Sequence, residues 1–85
     1  MHYVYIVRCA DGTLYTGYAL DPAARVDVHN SGRGAHYTKC RRPVTLVYAE
    51  SFESKSQALT REHQLKRLTR ANKEALILVT PAQLL

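Results

Sequence analysis

Two tyrosines, an arginine and a histidine in the first 30 residues have side chains that could act together in a reaction. Tyr5 closes the motif YVY and Tyr15 opens the motif YTG. The Asp11-Gly12 pair between them supplies the positive φ angles of a primed hairpin turn. Arg25 and His29 are four residues apart, so one helical turn places them on the same face. The pattern predicts two phenols facing each other on adjacent strands, with a cation and an imidazole beside them.

Each of these residues also has an ordinary structural interpretation. Tyrosines at alternating strand positions are commonly half-buried core residues with the hydroxyl at the rim. Arg25 can form a surface pair with Asp21, four residues earlier on the same helical face, and such a pair contributes little energy. A phenol is a poor base at neutral pH unless nearby positive charge stabilises its phenolate. A catalytic role for these residues therefore requires that the two tyrosines, the arginine and the histidine lie close together in the fold.

A single carboxylate, Glu62, falls on the apolar side of a predicted late helix, where a charged group needs a partner. Lys66, four residues on, or the adjacent Arg61 could supply an ordinary salt bridge. A divalent cation is the alternative, because carboxylate oxygen suits Mg²⁺, which keeps most of its waters and accepts one or two protein ligands. The apolar side of that helix consists of Ala58, Leu59, Leu65 and Leu68.

Six secondary-structure elements are expected to position these residues. Alternating apolar residues and turn signals predict strands over residues 2–8, 13–18 and 44–49. Asp21 caps a helix over residues 22–30 that Gly32 ends, Ser54 or Ser56 caps a second helix that reaches residue 68, and Thr69 caps a third over residues 70–78. Residues 31–42 are a loop, and Pro81 ends the last helix. The order ββαβαα predicts an α+β fold with helices packed on a small antiparallel sheet.

The length and charge of the chain limit its class. A chain of 85 residues forms one small domain, which we expect over residues 1–80 with a tail over 81–85. The net charge is +5 and is concentrated. Residues 33–42 carry four basic residues and no acidic one, and residues 61–73 carry five basic residues and one acidic. Clustered cations fit a nucleic acid, although solvated basic faces are also common in small domains.

Two cysteines without metal-site spacing and the absence of a long apolar run exclude other classes. Cys9 and Cys40 form no Cys-x-x-Cys pattern, so neither a zinc site nor a disulfide is expected. No run approaches the ~20 apolar residues of a membrane span, and the first residues do not have the pattern of a signal peptide. We therefore expect a cytoplasmic protein with no membrane association.

The motif set resembles the GIY-YIG nuclease superfamily, in particular its small stand-alone, YhbQ-like bacterial members. The resemblance runs from residue 1 to about residue 78 through YVY, YTG, LDPAARVDVHNSGRGAHYT, RRPVTLVYAE and ALTREHQLK. It implies the same architecture, a three-stranded antiparallel sheet flanked by helices. It also implies a Mg²⁺- or Mn²⁺-dependent endonuclease that hydrolyses DNA by in-line attack of water, with no organic cofactor.

The resemblance implies a role for each candidate residue. Glu62 corresponds to the family glutamate that is the single protein ligand of the metal. Arg25 would contact the scissile phosphate, and His29 would hydrogen-bond either the phosphate or a catalytic tyrosine. Tyr15 is assigned as the general base and Tyr5 as the group that orients the water, although the sequence does not choose between the two tyrosines.

A basic loop and the end of the second long helix are expected to hold the DNA. The loop combines glycines, cations and one aromatic ring that could stack on a base, and its structural alternative is a mobile solvated loop. Nothing resembles a base-reading helix, so we expect a structure-selective or weakly sequence-specific enzyme in DNA repair or processing. The expected DNA-binding residues are Arg33, His36, Tyr37, Lys39, Arg41, Arg42, Lys66 and Arg67.

Two departures from the family pattern leave other functions open. Tyr18 stands directly after YTG, where repair-type relatives often have a lysine, and Asn72 lies only near the position of the late family asparagine. One alternative is a non-catalytic nucleic-acid-binding module with the same fold. Another is a nuclease module that works only with a partner protein that targets it, and the chain itself is expected to be a monomer or a weak dimer.

Overall fold

A computed structural model describes residues 1–79 and has the predicted α+β architecture. The strands are β1 (His2–Arg8), β2 (Leu14–Ala19) and β3 (Thr45–Phe52). The helices are α1 (Pro22–Asn30), α2 (His36–Lys39), α3 (Lys55–Lys66) and α4 (Arg70–Val79). Within the described range no helix is long and apolar enough to cross a membrane. The expected tail over 81–85, and the end of the last helix at Pro81, lie outside the described residues.

The sheet is antiparallel with the order β2-β1-β3, so β1 is central and β2 is an edge strand. Residues 4–7 of β1 are buried, alternately on the two faces. One face packs against α3 through Val4, Ile6 and Leu65. The opposite face carries Tyr5 and Val7, and α1 covers it. Coverage of both faces explains why β1 is apolar at nearly every position.

The β1–β2 connection is longer than the predicted two-residue turn. Gly12 alone in this connection has a positive φ, at 85°, and the Cys9 N–H donates to the Thr13 carbonyl at 2.8 Å. The Asp11 carboxylate accepts from both the N–H and the hydroxyl of Thr13. Thr13 therefore belongs to the turn, and β2 begins at Leu14 rather than at residue 13. The prediction of a primed turn was wrong because the side chain of Asp11 closes a wider loop.

The caps of the long helices agree with the sequence. Asp21 Oδ1 accepts from the Ala24 N–H at 3.2 Å, and Pro22 begins α1. Ser54 rather than Ser56 caps α3, because its hydroxyl accepts from the Gln57 N–H at 3.1 Å. Gly32, just beyond α1, has φ 86°, which is the left-handed conformation that ends helices.

Three details of the later chain differ from the sequence prediction. The loop over 31–42 contains the short helix α2, and β3 extends to Phe52, beyond the predicted end at 49. Leu59, predicted to be on the apolar side of α3, is 41% exposed, while Ala58 and Leu65 are fully buried. The apolar side of α3 is therefore narrower than predicted, and Glu62 lies at its margin.

Candidate active site

Tyr5 and Tyr15 lie on the same face of the sheet but not directly opposite each other. In the β1–β2 register Tyr5 is opposite Gly17, and Tyr15 is opposite Val7. The two tyrosines are therefore diagonal neighbours, close enough for aromatic side chains to interact. The expectation that they face each other directly was wrong. A two-residue turn would have paired Tyr5 with Tyr18 and turned Tyr15 to the other face, so the wider turn, which moves the register by one residue, places both tyrosines on one face.

Gly17 is a packing position at this site that the sequence did not single out. A Cβ atom at Gly17 would lie 2.5 Å from the Tyr5 hydroxyl oxygen and 2.6 Å from Cζ. The Tyr5 ring therefore crosses directly over the backbone of β2, and only glycine leaves room for it. A glycine inside a predicted strand is itself a signal of close approach by another group. The glycine of the YTG motif could therefore have predicted that a side chain packs over β2.

We expect Gly17→Ala to lower the melting temperature by about 5–15 °C, because a rigid aromatic ring cannot move away from the new methyl group without repacking. Thermal unfolding followed by circular dichroism measures this change. In a Tyr5→Leu background the same substitution should cost much less, since the clash involves the ring. An equal loss in both backgrounds would contradict this packing.

His29 joins the tyrosines to the loop that follows α1. Its Nε2 is 2.8 Å from the Tyr5 hydroxyl, and its Nδ1 is 2.9 Å from the Thr38 hydroxyl. The imidazole is 1% exposed. Gly34 packs against it so closely that a Cβ there would lie 2.8 Å from the Cα of His29. Of the two roles expected for His29, the structure contains the hydrogen bond to a tyrosine, and both ring nitrogens are engaged.

Burial and neighbouring charges keep both Tyr5 and His29 neutral. Burial raises the pKa of the Tyr5 phenol far above its ordinary value; Tyr15 and Glu62 add to the rise, and Arg25 opposes it. Burial also lowers the pKa of His29, and the positive charge of Arg25 lowers it further. Tyr5 is thus a poor candidate for a base at neutral pH. Arg25 and Glu62 thus both influence the pKa of the Tyr5 hydroxyl, in opposite directions.

Tyr15 is half-buried on the edge strand and has aromatic neighbours on two sides. Its ring meets His29 edge-on with the centroids 5.4 Å apart, and it stacks on Tyr37 of α2 at 5.8 Å. The Arg41 guanidinium lies over the Tyr37 ring, 4.2 Å from its centroid. A DNA base that stacks on the Tyr37 ring would have to displace either Tyr15 or Arg41 from it. Tyr15 is therefore held between His29 and α2.

Arg25 is exposed on α1, one turn before His29. Among residues 1–79 no salt bridge joins it to Asp21, the surface pair that the sequence allowed. An exposed guanidinium close to buried aromatic groups is suited to meet an anionic ligand from solvent.

Glu62 is largely covered, with its side chain 18% exposed, and it pairs with Lys66 at 3.3 Å. Arg61, the other proposed partner, is instead bound to Glu50 at 3.0 Å. The lysine pairing and a metal role both remain compatible with this geometry, because a carboxylate has more lone pairs than one ammonium uses. The described part of the chain has no cluster of three metal-ligating side chains. A cation that needs only one protein ligand and keeps its waters, such as Mg²⁺, fits this donor set.

The predicted DNA-binding residues divide into exposed side chains and arginines that brace the loop. Arg33, His36 and Lys39 are exposed on the loop around α2, and Arg67 is exposed at the C-cap of α3. Arg41 instead bonds to Asp11 and the Tyr37 carbonyl, and Arg42 bonds to the carbonyls of Lys39 and Asn30. The last two hold the loop against the turn and α1, so the loop is braced by its own cations.

The two departures from the family pattern lie away from the paired tyrosines. The Tyr18 hydroxyl is 2.7 Å from His2 Nδ1, and the Tyr18 ring packs with the cluster on the α3 face of the sheet. Asn72 is exposed in the first turn of α4, where its N–H bonds to the Thr69 hydroxyl. Tyr18 therefore faces the opposite side of the sheet from Tyr5 and Tyr15.

A family model described as the GIY-YIG catalytic domain matches residues 1–75. The chain therefore belongs to the GIY-YIG family, and it contains a nuclease-type domain, which confirms the resemblance found in the sequence. Within that family the chain is similar to the small UPF0213 proteins. One of these, from Staphylococcus aureus strain Mu3, is 62% identical over 76 residues, which are 89% of this chain and 93% of the relative.

Two solved structures are similar to the fold described above. The solution NMR structure of a UPF0213 protein from Bacillus halodurans has a TM-score of 0.63 and 44% identity, and the match covers 96% of this chain and 87% of that one. The solution NMR structure of a protein from E. faecalis has a TM-score of 0.62 and 44% identity over 92% of this chain and 83% of that one.

Proposed function

We propose that the protein is a divalent-metal-dependent endonuclease that hydrolyses phosphodiester bonds of DNA. The observation that carries the proposal is the arrangement at the edge strand. Tyr15 lies against the buried Tyr5–His29 pair. The charges of Arg25 and Glu62 both influence the pKa of the Tyr5 hydroxyl. Phosphodiester hydrolysis needs mainly positioning and charge neutralisation, and these residue types supply both.

Tyr15 is the proposed general base. An attacking water forms a bond to phosphorus, its proton passes to the Tyr15 phenolate, and the bond from phosphorus to the leaving oxygen breaks. The leaving oxygen takes a proton from solvent. Positive charge from Arg25 would offset the extra negative charge of the transition state. Tyr5 is less suited to orient the water than its position in the motif suggested, because its hydroxyl is buried and bonded to His29. We assign it instead to holding His29.

Glu62 is the proposed ligand of a Mg²⁺ or Mn²⁺ ion, for which Lys66 would release the carboxylate. Such an ion, when bound, polarises a phosphoryl oxygen and neutralises developing charge. The exposed cations around α2, together with Arg67 and Lys66, would contact flanking phosphates. Because such contacts follow the backbone, the enzyme would select DNA by structure or with weak sequence preference, in repair or processing within the cytoplasm.

Incubation of the purified protein with supercoiled plasmid tests the function directly. Single-stranded, branched and nicked DNA are assayed in parallel, each with Mg²⁺, Mn²⁺ or EDTA. Nicking that depends on the metal supports the enzyme. Salt-sensitive binding without cleavage under any of these conditions would indicate a binding module instead. Cleavage seen only after addition of cell extract would indicate a nuclease that requires a partner protein, and sedimentation would separate a monomer from a weak dimer.

A further inference from the structure

Thr38 is a buried polar residue in a segment that is otherwise exposed. It is 0% exposed, whereas His36, Tyr37 and Lys39, the other residues of α2, are all exposed. A buried hydroxyl lowers the free energy of unfolding unless its hydrogen bonds are made. The contacts of Thr38 therefore indicate why the segment turns it inwards.

The Thr38 hydroxyl links His29 to the backbone of the loop. Its oxygen is 2.9 Å from His29 Nδ1, and it donates to the Ala35 carbonyl at 2.9 Å. A hydroxyl has one proton and two lone pairs. Because the proton is directed to Ala35, the lone pairs are left for His29, whose Nδ1 must then carry the proton of the shared hydrogen bond.

The other end of the imidazole agrees with this assignment. When Nδ1 carries the proton, Nε2 has a lone pair and accepts from the Tyr5 hydroxyl at 2.8 Å. Three hydrogen bonds then run in one direction, from Tyr5 through His29 and Thr38 to the Ala35 carbonyl. Each donor in this series of three hydrogen bonds has an acceptor.

The opposite tautomer is less favourable. It would let Nδ1 accept the Ala35 N–H, but that contact is 3.4 Å long, longer than ordinary hydrogen bonds of this type. Nε2 would then donate to Tyr5, and the Tyr5 proton would need another acceptor. Among the described residues the Tyr5 hydroxyl has no hydrogen-bond partner except His29, and Tyr5 is 1% exposed. A buried O–H would be left without an acceptor.

We propose that Thr38 is a positioning residue whose hydroxyl fixes His29 in the Nδ1-protonated tautomer, so that Nε2 holds Tyr5 and the imidazole ring keeps its T-shaped contact with Tyr15. The consequence for cleavage rests on the proposed function, whereas the tautomer does not. The charged and titratable groups facing the imidazole are Tyr5, Tyr15 and Arg25. Since Tyr37 of the same short helix stacks on Tyr15, α2 supports the site at two points.

Nitrogen-15 NMR of the His29 ring, with protein labelled on histidine, tests the assignment directly. The wild-type protein is expected to show a protonated Nδ1 and an unprotonated Nε2. A protonated Nε2 with a bare Nδ1 would overturn the proposal, and this measurement needs no variant to fold. Thr38→Ser, which keeps the hydroxyl, should retain the wild-type pattern. Thr38→Val, which has nearly the same shape without the hydroxyl, should lose it.

Thr16→Val is the matched control for burial, because Thr16 is 3% exposed and its hydroxyl has no hydrogen-bond partner among residues 1–79. It should leave the His29 tautomer unchanged. If wild-type protein nicks plasmid, Thr38→Val should slow nicking about tenfold, the loss of one buried hydrogen bond, and Thr38→Ser should restore most of the rate.

The outcomes separate this proposal from the function. A tautomer that changes in Thr38→Val while the wild-type protein cuts no DNA supports the assignment and removes the endonuclease. An unchanged tautomer in a folded Thr38→Val protein overturns the assignment and leaves the endonuclease standing. Equal loss of nicking in the serine and valine variants, or full activity of the valine variant, would also overturn the positioning role.

Discussion

Tyr15→Phe is expected to reduce the rate of metal-dependent plasmid nicking by about 10²- to 10⁴-fold, the contribution of a positioned general base. The substitution removes only the hydroxyl, so the ring keeps its edge contact with His29 and its stack on Tyr37. The fold and DNA affinity should therefore change little. Single-turnover nicking at saturating protein measures the chemical step without a contribution from binding.

Two other tyrosines serve as references for this experiment. Tyr3→Phe makes the same change on β1, where the hydroxyl has no hydrogen-bond partner in the described part of the chain, and it should keep full activity. Tyr5→Phe should have an intermediate effect, because it removes the donor to His29 and leaves Tyr15 intact. If Tyr5→Phe is the more damaging of the two site variants, the base is not Tyr15 and the roles of the two tyrosines must be exchanged.

Glu62→Gln is expected to reduce nicking about 10³-fold, because neutralising the carboxylate removes the charge that would hold the metal and the several kcal/mol of charge stabilisation that the metal contributes. The melting temperature should hardly change, since the partner of Glu62 in the structure is the half-exposed Lys66 and such helix pairs contribute only a few tenths of a kcal/mol. Nicking rates measured across a Mg²⁺ titration test both parts of the expectation.

The salt bridge and the metal site make different predictions for Lys66. If Glu62 serves only to pair with it, Lys66→Gln at saturating DNA should be as damaging as Glu62→Gln, because each removes the same ion pair. If Glu62 is a metal ligand, Lys66→Gln should keep the Mg²⁺ dependence and lose only DNA affinity. Glu53→Gln, an identical change at an exposed position, controls for the loss of one negative charge.

Local signals were sufficient for the elements that position the site. Asp21 before Pro22 located the start of α1, and the spacing of Arg25 and His29 then followed from helical periodicity. The diagonal offset of Tyr5 and Tyr15 could not be predicted in the same way. It follows from the wider turn, in which the Asp11 carboxylate accepts from Thr13, whereas a two-residue turn would have put the two side chains on opposite faces of the sheet.

Thr38 and α2 could not be predicted at all. A four-residue helix is too short to be stable by itself, so it depends on tertiary contacts such as those of Thr38 with His29 and of Tyr37 with Tyr15. The position of Glu62 was predicted more closely, since its spacing from Ala58 and Leu65 placed it on the apolar side of α3, and the structure has it largely covered at the margin of that side. The exposure of Leu59 was not predicted, because periodicity gives the direction of an apolar face but not its width.

The different strand positions of the two tyrosines have a consequence for motion. Tyr5 lies on β1, which is hydrogen-bonded on both sides, whereas Tyr15 lies on β2, which is hydrogen-bonded on one side only. Opening β2 breaks one ladder and opening β1 breaks two, so backbone amides of β2 should exchange with deuterium sooner than those of β1. The proposed general base is thus on the strand that is expected to open first, while the tyrosine that holds His29 is on the strand that is expected to open last.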